Sequence, residues 1–94
     1  MQDTAIDVRH DAARQRFSTT IEGLEAFVEY HCAAGVVSID HTVVPEPIGG
    51  RGIAAGLVRA AMDFARAEGL KVRPACSYAV SWLRRHPEYG DLRA

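Results

Sequence analysis

Three places in this chain carry residue types that do chemistry: the run Gly49-Gly50-Arg51-Gly52-Ile53-Ala54, a histidine at 41 and a cysteine at 76. The run stands at the entrance to an alanine-rich stretch with helical spacing. A helix N-terminus leaves about four backbone N–H groups without partners. Such ends are usually capped by Ser, Thr, Asp or Asn and followed by acids. Here no capping side chain is present, and no acidic residue occurs between Glu46 and Asp63. The glycines remove side chains that would block close approach, and Arg51 adds positive charge. Together these features describe an anion site, most naturally one for phosphate. The plainer alternative is a glycine-rich turn whose amides are hydrated.

The kind of phosphate can be narrowed. A Walker loop needs Gly-Lys-Ser/Thr, which this stretch lacks. Gly50-x-Gly52-x-x-Ala55 formally fits a dinucleotide fingerprint. That fingerprint requires an acid at the end of the following strand, where this chain places Lys71, Arg73 and Cys76. The chain is also too short for the two-halved dinucleotide fold. What remains is a pyrophosphate loop that follows a set of antiparallel strands.

His41 lies in an alternating run with Val37, Ile39 and Val43. It reads either as a histidine of the core or as a general base of near-neutral pKa. Cys76 ends a strand and immediately precedes a helix start, a position that stabilises thiolate. It reads either as an activated thiol or as a small buried hydrophobe. Cys32, in mid-strand, is expected to be structural. The histidines at 10, 31, 41 and 86 show no metal-ligand spacing with one another or with the cysteines, so no metal is expected.

These groups need a scaffold, and the hydrophobic period supplies one. Alternation over 14–21 places Phe17, Thr19 and Ile21 on one face, and Glu22-Gly23 reads as a hairpin turn. Leu24 to Cys32 alternates again, Ala34-Gly35 turns the chain, and Val36 to Val44 is rich in β-branched residues. An edge strand around Ile6 to Arg9 is the alternative to poor order over 1–13. From Arg51 to Glu68 the apolar residues at 53, 57, 61, 64 and 65 follow helical spacing, and Gly69 ends the helix. Leu70 to Cys76 reads as a short strand. Ser77 is placed to cap a second helix running to about His86, where Pro87 stops it. The order β-β-β-α-β-α predicts an α+β fold in one domain. Its small mixed sheet has three antiparallel strands and a fourth added in parallel through a right-handed crossover.

The totals limit the partners. Eleven basic against twelve acidic residues give a formal net charge of -1, which supplies no drive toward nucleic acid or an anionic membrane. No apolar run approaches the roughly 18 residues of a membrane helix. The N-terminal stretch has no signal-peptide pattern, so a cytoplasmic chain with free thiols is expected.

The loop after a β-meander resembles that of the GCN5-related N-acetyltransferases, which reads Arg/Gln-x-x-Gly-x-Gly/Ala. Gly49, Gly50, Arg51, Gly52, Ile53 and Ala54 occupy those positions here, with Gly49 in place of Arg or Gln. Residues 14–92 are similar to the minimal branch of that superfamily through four ordered motifs. These are His41 to Pro45, the glycine loop, Lys71-Val72-Arg73-Pro74-Ala75-Cys76 and His86-Pro87-Glu88-Tyr89. The resemblance implies acetyl-CoA as cofactor and an unidentified amine, on a small molecule or a protein, as acceptor. It implies cofactor contacts from Val43, Val44, Gly49, Gly50, Arg51, Gly52, Ile53, Ala54 and Ala55. It also implies that the Tyr78 phenol acts as acid toward the departing sulfur, which with His41 and Cys76 completes the candidate catalytic set. In the family the cofactor lies where two parallel strands splay apart. Pro45 and Pro74, which cannot donate to a ladder, permit a splay between the corresponding strands here.

Overall fold

A computed structural model describes residues 6–94. Its element order is β1 (Arg9–Asp11), β2 (Arg16–Ile21), β3 (Leu24–Ala33), β4 (Val36–Val43), α1 (Ile53–Ala67), β5 (Lys71–Pro74) and α2 (Ser77–Arg85). Short 3₁₀ segments at Glu46–Ile48 and Pro87–Leu92 complete it. The five strands lie in sequence order in one sheet, antiparallel from β1 to β4, with β5 parallel to β4. This is the α+β mixed sheet that the pattern predicts, with one more strand. The extra strand, β1, lies a few residues beyond the expected 6–9, and the expectation for residues 1–5 lies outside the described residues.

One face of the sheet is apolar because alternate residues along each strand point the same way. Phe17, Ala26, Val28, Tyr30, Val37, Ile39 and Val72 are all buried there, with Thr19 among them. Helix α1 covers that face with Ile53, Leu57, Val58, Ala61, Met62 and Ala65, a single stripe at helical spacing. From α2, Ala79, Trp82 and Leu83 join the same buried cluster. Each such large aliphatic side chain contributes about 1.5–3 kcal/mol by leaving water. The other face stays polar, with Thr20, Glu25, His31, His41, Lys71 and Arg73 exposed.

Helix α1 ends as Gly69 predicts. Leu70 N–H donates to the Ala65 carbonyl at 2.8 Å and Gly69 N–H to the Arg66 carbonyl at 3.2 Å, the paired bonds of a Schellman end. Helix α2 starts differently from the expectation. Its N-cap is Cys76, with no capping hydrogen bond from the side chain, and Ser77 is already helical.

Strand β4 departs most from a regular strand. Glu29 pairs with His41, but the next residue, Tyr30, pairs with Ile39, so Asp40 has no opposite number. An unpaired residue of this kind is a β-bulge, and it inverts every later side chain relative to strict alternation. Val37 and Ile39 therefore face α1, whereas His41 and Val43 turn to the polar face and are exposed. The expectation that His41 shares an apolar face with Val37 and Ile39 is thus wrong. So is the core reading of this histidine. Cys32 is likewise exposed near the end of β3 instead of buried in mid-strand.

Candidate cofactor cleft

The path from β4 into α1 is held rigidly at one end and left open at the other. Pro45 leads into the 3₁₀ turn Glu46–Ile48, and fully buried Ile48 anchors that turn to the core. Gly49 follows with its N–H bonded to the Glu46 carbonyl at 2.9 Å. Gly50 and Gly52 then adopt φ of 76° and 77°, on either side of Arg51. A Cβ at either glycine would meet nothing within 4 Å, so glycine is needed there for backbone conformation and not for packing. Left-handed glycines in a turn that leads into a helix leave backbone N–H groups open to close approach, the setting of an anion-binding nest.

Those N–H groups are free to bind. Gly56 N–H makes the first bond of the α1 ladder, to the Gly52 carbonyl at 3.1 Å. The N–H groups from Gly50 to Ala55 have no acceptor among the described residues. Gly52 is the N-cap, it offers no side chain, and the first turn holds no acid. A cavity of about 240 Å³ opens in front of them, with Val44 on one wall, Tyr78 on another, and Gly49 to Ala55 as its floor apart from Arg51.

The neighbouring strands part at the same end of the sheet. The parallel ladder between β4 and β5 stops at the pair Ile39 and Pro74. The Ile39 carbonyl then accepts from both Ala75 N–H (3.0 Å) and Cys76 N–H (3.1 Å), while β4 runs on to Val43 paired with β3 but no longer with β5. The ladder bond just past Pro74 is still made, by Ala75 N–H, and the regular register is lost where Cys76 N–H returns to the same Ile39 carbonyl. The missing donor of Pro74 is therefore not what parts the strands. The bulge turns Thr42 inward at this gap, and its hydroxyl lies 3.5 Å from the Cys76 sulfur.

Most of the expected site therefore converges. Val44, Tyr78 and the loop line one cleft, and Cys76 stands at the strand gap. Val43 and His41 do not join them, because the bulge sends both to the open face. Arg51 also turns aside, donating to Glu22 in the β2–β3 turn at 2.9 Å. That hydrogen bond and the arginine's charge hold the Glu22 carboxyl below its usual range. Burial pushes the Tyr78 phenol above its ordinary value, and the charge of Arg85 partly opposes it. The phenol is therefore protonated at neutral pH and can donate. The sequence reading missed Thr42 and Glu22. Thr42 belongs to the His41–Pro45 motif, but its inward direction depends on a bulge that residue types do not announce.

The family model described as GCN5-related N-acetyl-transferase matches residues 16–92. Protein NATD1 of Xenopus tropicalis is 37% identical over 87 residues, which cover 89% of this chain and 80% of the relative. Its counterpart in Homo sapiens is 35% identical over 89 residues, covering 92% and 79%. Among solved structures, a GCN5-like protein from Staphylococcus aureus matches with a TM-score of 0.75 and 26% identity, over 95% of this chain and 88% of that one.

Proposed function

The chain belongs to the GCN5-related N-acetyltransferase family, and on that premise we propose that it binds acetyl-CoA and transfers the acetyl group to an amine. The observation that carries this reading is the row of unpartnered N–H groups from Gly50 to Ala55, facing a cleft beside two parting strands. A pyrophosphate fits such a row, since it satisfies several orphan donors at once and meets the positive end of α1. Val44 and Tyr78, which line the cleft, would hold the pantetheine arm, and Thr42 and Cys76 at the neighbouring strand gap would line the pocket of the acetyl group.

In the transfer a C–N bond forms and a C–S bond breaks. The amine gives up a proton and the departing sulfur takes one. We assign the second proton to Tyr78, whose raised pKa keeps it a donor. His41 is assigned to the first, serving an amine that arrives from the open face of the sheet. Cys76 then lines the acyl pocket with Thr42, and the amine attacks directly. Among the described residues no helix is long and apolar enough to cross a membrane, and a cytoplasmic chain remains our reading from the sequence.

The test is thiol release from acetyl-CoA in the presence of a panel of small amines and lysine peptides. We expect turnover with at least one acceptor, and Tyr78→Phe to lower the rate while leaving affinity near that of the parent. Mass spectrometry of the protein after acetyl-CoA alone should show no adduct on Cys76. A stable adduct that decays on adding amine would replace direct attack by a two-step route. Tight acetyl-CoA binding without turnover on any acceptor would instead leave a non-catalytic acyl-CoA-binding module.

A further inference from the structure

A second and larger cavity, of about 660 Å³, begins at the same glycines and runs along the outer side of α1. It shares Gly50, Gly52 and Ala55 with the cleft. An elongated ligand held at the loop by its middle therefore has space in two directions. One leads to the strand gap. The other leads here, where the walls combine apolar Ile6, Val8 and Ala60 with the cationic or titratable side chains of Arg51, Arg59 and His86.

Arg59 is held in place without being neutralised. Its guanidinium donates to the Tyr89 hydroxyl at 3.1 Å and lies 5.6 Å from the Trp82 ring centre. Tyr89 in turn donates to Asp63 at 2.8 Å, so the carboxylate that also lines the cavity is occupied by a phenol. Among the described residues no carboxylate forms an ion pair with Arg59. His86 stacks on Trp82 with ring centres 3.9 Å apart, and its Nδ1 bonds to the Trp82 carbonyl at 2.8 Å. That leaves Nε2 as the ring nitrogen still available. A fixed guanidinium with spare donors, an imidazole and an apolar wall suit a nucleoside that bears a phosphate of its own.

We propose that this cavity holds the nucleoside end of coenzyme A, and that Arg59 recognises its 3′-phosphate. The proposal rests on the cofactor reading above, and its test separates the two. Affinities for coenzyme A and for 3′-dephospho-coenzyme A are measured by calorimetric titration of the parent chain, Arg59→Gln and Arg59→Lys. The parent should prefer the phosphorylated form by at least about ten-fold, the worth of one charge-assisted hydrogen bond. Arg59→Gln should bring the ratio close to one while leaving 3′-dephospho-coenzyme A as tightly bound as before. Arg59→Lys, which keeps the charge but not the fork, should give an intermediate ratio.

A ratio near one in the parent overturns the proposal and leaves the cofactor reading standing. So does an equal loss for both ligands in Arg59→Gln, since that pattern marks a residue that merely supports the fold. If neither ligand binds the parent, the cofactor reading falls and this proposal falls with it.

Discussion

The glycine loop and the bulged end of β4 lie within a few residues of each other, yet they were legible to opposite degrees. Gly50 and Gly52 occupy φ values that other residues reach only at a cost of about 1–2 kcal/mol. Such positions restrict the residue type, so the type reveals the position. Asp40 is different. A bulge there needs no particular residue, and the surrounding Val36–Val44 run reads as an unbroken strand. The lesson is that backbone demands which only glycine or proline meets are visible in a sequence. A register shift inside a β-branched run is silent.

That contrast is open to attack first at the bulge. Ile39 and His41 share a face under strict alternation, but the bulge buries Ile39 completely and exposes His41. Ile39→Ala should cost about 2–5 kcal/mol of stability, read by denaturant or thermal unfolding. His41→Ala should cost no more than about 0.5 kcal/mol, as for other surface substitutions. Comparable losses would put His41 back in the core and remove the bulge. If His41 is the base, its variant should also lower the turnover rate, with affinity for acetyl-CoA little changed.

The loop is tested by charge at an unchanged fold. Gly52→Glu places a carboxylate at the nest and should weaken acetyl-CoA by about 2–4 kcal/mol, roughly 30- to 1,000-fold. Left-handed strain alone accounts for about 1–2 kcal/mol of stability. Gly52→Ala separates the two effects, because its Cβ meets nothing within 4 Å. It should destabilise by a similar amount and lose far less binding. Equal binding losses would mean that strain, and not the anion site, governs affinity.

A smaller effect distinguishes the two regions by pH. Burial raises the pKa of Tyr30, opposite the bulge, and of Tyr78, beside the loop. A folded pKa above the unfolded one contributes stability that is fully present below the unfolded value and is lost as pH rises through the folded one. The melting temperature should therefore hold until about pH 10 and fall above it. Tyr78→Phe should flatten part of that fall. Bound acetyl-CoA should deepen the protection of Tyr78 but leave Tyr30 as it was.

The smallest effect concerns the ion pair that draws Arg51 away from the nest. Both side chains are substantially exposed, at 43% and 63%. Such a pair contributes little to stability. Glu22→Gln should leave the melting temperature almost unchanged and tighten acetyl-CoA about two- to three-fold, on the scale of an exposed ion pair. A weaker complex would show that Glu22 assists binding instead of competing for Arg51.

The rest of the fold divides along the same line. The Schellman end at Gly69 and the buried stripe of α1 were readable, because glycine and a helical period mark them. The parting of β4 from β5 falls near Pro74 as expected, but through the doubled bond at the Ile39 carbonyl and not through the missing proline donor. The start of α2 was misread by one residue, since Ser77 is a good cap by type but does not stand in the cap position. The cavity around Arg59 and His86 was not readable at all. Its residues come from the N-terminal segment, the glycine loop, α1 and the turn after α2, and only the packed structure brings them together.

The anion nest is tested most directly by the amide spectrum of isotope-labelled protein titrated with acetyl-CoA. Six N–H groups, from Gly50 to Ala55, have no acceptor among the described residues. If they cradle the pyrophosphate, their proton signals should move downfield together and saturate along one binding curve. Amides around the Glu22-Gly23 turn should follow as Arg51 leaves its partner. Binding that shifts other amides and leaves this row unmoved, or no binding at all, would contradict it.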